Sequence, residues 1–168
     1  TFNEFFPAKV SRIEKTIPVY NDDPTSKLKE KLANRKLHFS FTPVNDSDVE
    51  KAIHKIKSKT SSGVDFVSTK VLKLVSDKIA TPLCYIINNS LQTGVFPKSW
   101  KIAKCIPIFK NKGSRQSKEF YRPVSLLKAT SKVIETIVNQ KMLGYLEFNK
   151  LLPESQHGFR KSHSTFTA

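Results

Sequence analysis

Apolar and polar positions follow two rhythms along this chain. Within residues 45–57, Val49, Ala52, Ile53 and Ile56 recur at spacings of three and four, with Lys51, Lys55 and Lys57 between them. That spacing predicts an amphipathic helix with a basic outer stripe. Asn45 is a good N-cap for it, and Ser47 with Glu50 forms an alternative capping box. Ser68 is placed to cap a second helix, with Val71, Leu72 and Val75 inward. Ser76 or Asp77 opens a third, with Pro82 near its first turn and Ile79, Leu83, Ile86, Ile87 and Leu91 facing the core. Gly94 is its expected C-terminal cap, and Phe96, Pro97 and Trp100 lead onward. Val133, Ile134, Ile137 and Val138 predict a last helix reaching Tyr145 or Leu146, closed by Leu151, Leu152 and Pro153. At the other end, Phe2, Phe5, Phe6, Val10, Ile13 and Ile17 share a helical face that Pro7 interrupts. Residues 18–26 break the pattern, and the charged residues 27–35 read as a solvated helical turn or linker. An extended lead-in covers residues 38–44, and a soft boundary falls near residue 40.

The period changes between residues 104 and 127. Cys105, Ile106, Ile108 and Phe109 form a short apolar run, and Pro107 within it implies an edge or bulged strand. A polar loop follows over residues 110–120. Tyr121, Val124, Leu126 and Leu127 form a second run, with Arg122 and Ser125 between them. Two short runs around a polar loop predict a β-hairpin with a long tip. Lys110 and Arg122 then stand where the two strands meet the loop. Two cations so placed can clamp an anion such as a phosphate, or they are solvated surface charges.

Charge narrows the choice of partner. The 168 residues carry 29 Lys and Arg against 14 Asp and Glu, a net charge of +15. Such a balance favours an anionic partner, nucleic acid first and an anionic membrane second. No apolar run approaches the roughly 18 residues of a membrane-spanning helix, and no signal peptide opens the chain. Cys84 and Cys105 lie in apolar patterns and read as buried thiols of a reducing compartment, nuclear or cytosolic. The length suits one domain, or one domain with an extension. His157 and His163 flank Gly158 and Arg160, but no third ligand stands near, which argues against zinc. No Ser, His and Asp arrangement suggests a strained nucleophile turn.

Five segments stand together in one order: residues 57–73 (KSKTSSGVDFVSTKVLK), 88–101 (NNSLQTGVFPKSWK), 107–113 (PIFKNKG), 121–127 (YRPVSLL), and QHGFR at 156–160 with Ser164 and Thr165. Together they resemble the N-terminal half of the reverse transcriptase of non-LTR retrotransposons, the Jockey and CR1-like LINE elements. The resemblance covers residues 41–168, and FNEFF near the start is similar to the segment those elements carry between endonuclease and polymerase.

The resemblance implies an α+β chain: a mainly helical fingers subdomain with one β-hairpin and the start of the palm, an incomplete right-hand polymerase fold. Residues 1–40 would be an N-terminal extension or linker, and residues 41–168 a partial reverse transcriptase domain. It implies a fragment of an RNA-directed DNA polymerase, with an RNA template, an RNA–DNA hybrid and a deoxynucleoside triphosphate as partners and no membrane. Lys110 and Arg122 would hold the triphosphate. Ser62, Gly63 and Asp65 match an early fingers loop near the template. Their plain alternative is a capping turn, with Gly63 left-handed and Asp65 starting the next element. Gln156, Gly158, Phe159 and Arg160 match a segment lining the template and nucleotide pocket. Phe159 could stack on a base and Arg160 contact phosphate, or Phe159 is core and Arg160 a surface charge.

Catalytic residues are expected to be absent. The complete enzyme would use Mg2+ held by paired carboxylates, but this chain would bind none and be inactive alone. Tyr20, Asn21, Asp22 and Asp23 imitate the Tyr-x-Asp-Asp box of reverse transcriptases, yet they precede the fingers and no second apolar strand follows. They read as a chance match. The first catalytic Asp of the family is expected beyond Ala168, and the chain reads as cut off there. The competing function is a non-catalytic basic module that holds RNA or a hybrid, a domesticated remnant. A structural or membrane-surface protein ranks behind both.

Overall fold

The computed structural model describes residues 1–19, 22–160, 162–164 and 166. Among them six helices run α1 (Phe2–Glu14), α2 (Ser26–Leu32), α3 (Asp46–Lys55), α4 (Thr69–Leu74), α5 (Ser76–Thr93) and α6 (Ala129–Phe148). One antiparallel sheet of two strands, β1 (Lys104–Phe109) and β2 (Tyr121–Leu126), lies between α5 and α6 in the chain. The class is α+β, as the resemblance implied. The chain divides into two compact units, residues 1–38 with 103–126, and residues 39–102 with 127–168.

The second unit holds the buried core. α3 packs on α5 and α6, and α4 touches α3 and α6. Val49, Ile87 and Val133 are wholly buried, and each contributes roughly 1.5–3 kcal/mol by leaving water. Local signals fix the helix ends. The Asn45 side chain accepts from Asp48 N at 2.9 Å, and Asp48 answers from N3, so the capping box is Asn45–Asp48 and not Ser47–Glu50. The Ser68 hydroxyl accepts from Val71 N. Gly94 closes α5 at φ +70°, its N–H donating to Ser90 O. The lead-in segment is anchored by α5: Val44 N donates to Asn88 Oδ1 at 2.8 Å, and Asn88 Nδ2 donates back to Val44 O at 2.9 Å.

Several inward faces differ from the periodic reading. Val71 and Val75 are exposed, while Thr69 and Leu72 are buried. The reason is a polar staple: the Thr69 hydroxyl donates to Lys57 O and accepts from Lys59 N, both at 2.9 Å, which rotates that face of the short α4 inward. In α5, Ala80, Leu83, Cys84 and Ile87 are buried, while Ile86 is 39% exposed. Pro82 stands past the first turn of α5, because the helix already starts at Ser76, directly against the end of α4. Cys84 is buried as expected, but Cys105 is exposed.

The first unit is built on aromatic contacts and not on a buried core. α1 and α2 bury no residue fully. Phe2 meets Tyr121 edge-on at 4.9 Å, and Phe2 stacks with Phe6 at 5.6 Å. α1 runs through Pro7 without stopping. In the hairpin, Pro107 lies directly opposite Pro123. Lys110 N donates to Phe120 O, so hydrogen-bonded pairs alternate from there and the two prolines fall at a non-bonded pair. Neither removes a ladder bond, and the expected distortion at Pro107 is not needed.

Candidate functional site

The hairpin places Lys110 and Arg122 on one face. Ile108 pairs with Arg122 in the register, and Lys110 lies opposite Phe120, so the two cations are diagonal neighbours. Both line one cleft of about 230 Å³, together with Lys9, Tyr121, Pro123 and the α1 residues Phe6, Val10 and Ile13. Lys110 Nζ donates to Glu119 O at 2.8 Å, and Lys9 Nζ pairs with the Glu119 carboxylate at 3.4 Å. The cleft is therefore cationic on one side and apolar on the other, an arrangement that suits an anion with an apolar body. Lys9 escapes a reading based on the hairpin alone. It reaches the cleft from α1, one turn after Phe5 and Phe6.

The loop of Ser62, Gly63 and Asp65 lies in the second unit. Ser62 bridges to Ser68 across its mouth. Gly63 is buried against the chain that leads into α6: a Cβ there would stand 2.8 Å from Lys128 N and 3.0 Å from the Leu127 carbonyl carbon. Gly63 is thus required by close approach and not by a left-handed backbone, since the left-handed glycines are Gly94 and Gly113. Asp65 Oδ1 accepts from Val67 N at 3.2 Å, and Ser68, not Asp65, starts the next element. The residue that does take left-handed backbone here is Phe66, at φ 59°.

Gln156, Gly158, Phe159 and Arg160 form a separate turn in the same unit. Gln156 Nε2 donates to Gly158 O at 3.0 Å. Arg160 Nη1 donates to Pro153 O and Gln156 O, both at 3.3 Å. Arg160 Nε is buried and finds no partner among the described residues. The guanidinium thus braces its own turn. Phe159 is the opposite of a core residue: φ is 62° and the ring is wholly in solvent. Ser164 is described, and Thr165 lies outside the described residues, as do Tyr20 and Asn21 of the imitation box.

Asp23 of that box is committed locally. Its Oδ1 accepts from Thr25 N and Oγ1, and Oδ2 pairs with Lys29 Nζ at 2.6 Å. Lys29 first, then Thr25, hold its carboxyl below the usual Asp range. Among the described residues, no three His, Cys, Asp or Glu side chains converge in a way that could hold a metal ion. No described helix is long and apolar enough to cross a membrane.

A cationic hairpin on a small α+β chain leaves the class of protein open. Known proteins narrow it. The chain is 34% identical over 130 residues to the "Probable RNA-directed DNA polymerase from transposon BS" of Drosophila melanogaster, covering 77% of this chain and 14% of that protein. It is 30% identical over 159 residues to the RNA-directed DNA polymerase from mobile element jockey of the same fly, covering 92% of this chain and 17% of that protein. The jockey protein of Drosophila funebris is 32% identical over 123 residues, 73% of this chain and 13% of its own length. No protein-family model matches the chain. This chain is homologous to a segment of the RNA-directed DNA polymerases of non-LTR retrotransposons, and it spans less than one-fifth of the length of each of these three relatives.

Proposed function

We propose that this chain is the template- and nucleotide-gripping part of a retrotransposon RNA-directed DNA polymerase. Residues 41–168 are a partial reverse transcriptase domain, fingers and the start of the palm of a right-hand fold, and residues 1–40 are an extension before it. The observation that carries the reading is the pair Lys110 and Arg122, diagonal on one face of the hairpin and lining one cleft. A guanidinium and an ammonium at that spacing bind the oxygens of a triphosphate through charge-assisted hydrogen bonds. Ser62, Gly63 and Asp65, with Gln156, Gly158, Phe159 and Arg160, lie on the template side. Phe159, solvent-exposed and held by the Gln156 and Arg160 bonds, is the base-stacking member. The partners are an RNA template, an RNA–DNA hybrid and a deoxynucleoside triphosphate, in a nuclear or cytoplasmic setting.

Polymerases of this class depend on a metal, here Mg2+ in the complete enzyme. The described acids of this chain do not fit that ion, because no three of them converge with His or Cys into a ligand set. We read this chain as a binding element, and no chemical step is assigned to it.

Nucleotide binding to the chain, measured by calorimetry with each of the four deoxynucleoside triphosphates, tests the reading. Arg122→Ala should cost on the order of 2–3 kcal/mol with every base, as the loss of charge-assisted bonds does. Arg122→Lys should recover only part, because Lys lacks the planar fork. RNA binding should fall steeply with salt and hardly respond to Arg122. If Arg122→Ala weakens RNA binding and leaves nucleotide affinity alone, the hairpin is a template rail and the assignment fails.

A further inference from the structure

Phe66 shares two properties with Phe159. Both take left-handed backbone, at φ 59° and 62°, and both hold the ring in solvent, at 81% and 107% of full exposure. Left-handed backbone is unfavourable for a bulky side chain, and burial of the ring, which could offset that cost, is missing at both positions. Phe66 is nonetheless tightly specified. Its N–H donates to Gly63 O, Asp65 turns the chain through its bond to Val67 N, and Ser62 closes on Ser68. Gly63 beneath it is seated flush on the backbone of Leu127 and Lys128. The loop acts as a rigid mount that points one aromatic ring outward.

The segments on either side of that loop carry lysines. The main chain at Lys57 and Lys59 is fixed by the Thr69 staple, and Lys70 N donates to Lys59 O, so three exposed lysines stand on the segments that flank the loop. A rigid exposed aromatic among backbone-tracking cations is the arrangement by which proteins hold single-stranded nucleic acid.

We propose that Phe66 is a second base-stacking residue, which takes an unpaired base of a single-stranded nucleic acid while Lys57, Lys59 and Lys70 hold its phosphates. The inference rests on the template-side reading of Ser62, Gly63 and Asp65. Stacking is tolerant of base identity, because every base presents a π-face. Duplex RNA offers no free base, so the contribution of Phe66 is confined to single strands.

The test uses this chain and fluorescently labelled oligo(U) and oligo(A), with an RNA duplex of equal length. Phe66→Ala should weaken single-strand binding about 5- to 150-fold, the range of one lost stacked base. Duplex binding should stay within twofold. Phe66→Trp should keep single-strand affinity, and the fluorescence of the new indole should be quenched on binding. A Phe66→Ala chain that binds single strands as the native chain does overturns the proposal and leaves the template-side reading standing. A native chain that binds no single strand at all overturns that reading itself. Equal losses on single strand and duplex would make Phe66 a prop for the loop, and a lowered unfolding midpoint in Phe66→Ala would accompany that outcome.

Discussion

Replacing Gly63 by Ala is the most direct probe of how the loop of Ser62, Gly63 and Asp65 is held. The added Cβ would stand 2.8 Å from Lys128 N, 3.0 Å from the Leu127 carbonyl carbon and 3.1 Å from its oxygen. All three are backbone atoms, so no side chain can rotate away. Relief requires moving the chain just before α6, where Ala129 is already buried at 2% exposure. Backbone φ adds nothing to the cost, because Gly63 is not left-handed. Forcing one methyl into such a contact costs roughly 1–3 kcal/mol. Two glycines of the same unit calibrate the measurement. Gly94 meets nothing within 4 Å but sits at φ +70°, so Gly94→Ala carries only backbone strain, about 1–2 kcal/mol. Gly144, inside α6, has open space and ordinary backbone, so Gly144→Ala should stabilise by about 0.5–1 kcal/mol. Urea unfolding followed by the fluorescence of Trp100, the one tryptophan of the chain and a buried residue of this unit, reads all three. The reasoning is refuted if Gly63→Ala unfolds at the native urea concentration or above it while Gly144→Ala is stabilised as stated.

Two further predictions concern a cap and the thiols. Asn45→Ala removes the acceptor for Asp48 N and should lower stability by roughly 1 kcal/mol, with Asn45→Gly recovering most of it; the same urea titration reports both. A maleimide reagent should label exposed Cys105 rapidly in the native chain. Cys84 should react only on unfolding, since burial first and then the Asp46 carboxylate push its thiol up, and the smaller thiolate fraction slows attack. Mass spectrometry of the labelled peptides distinguishes the two sites, and native labelling of Cys84 at the rate of Cys105 would contradict the buried assignment.

What the sequence made legible was local. Asn45, Ser68 and Gly94 mark helix ends through contacts made within four residues, and each does so in the structure. The hairpin was legible because its period, its polar loop and its flanking apolar runs agree. The inward face of α4 was not legible. It is set by the bonds of Thr69 to Lys57 and Lys59, which no hydrophobic period encodes. Gly63 read as a left-handed capping glycine because its real constraint, the backbone at Leu127, lies more than sixty residues away in sequence. Lys9 was missed for a related reason: a charge one turn from two phenylalanines gives no sign of which strand it will meet. Among the template-side candidates, the sequence pointed to Phe159, while the equivalent geometry of Phe66 became visible only with the backbone angles.

The facing prolines of the hairpin have a consequence for what can attach to it. At a non-bonded pair, main-chain donors point away from the partner strand, so Pro107 and Pro123 each delete an outward N–H, one on either side of the ribbon. A two-stranded ribbon otherwise offers two open edges, each a template for strand addition by another chain. Here an incoming strand would find a missing donor midway along either edge and a pyrrolidine ring in its path. Both edges of the ribbon are thereby blunted against strand addition and edge-to-edge aggregation.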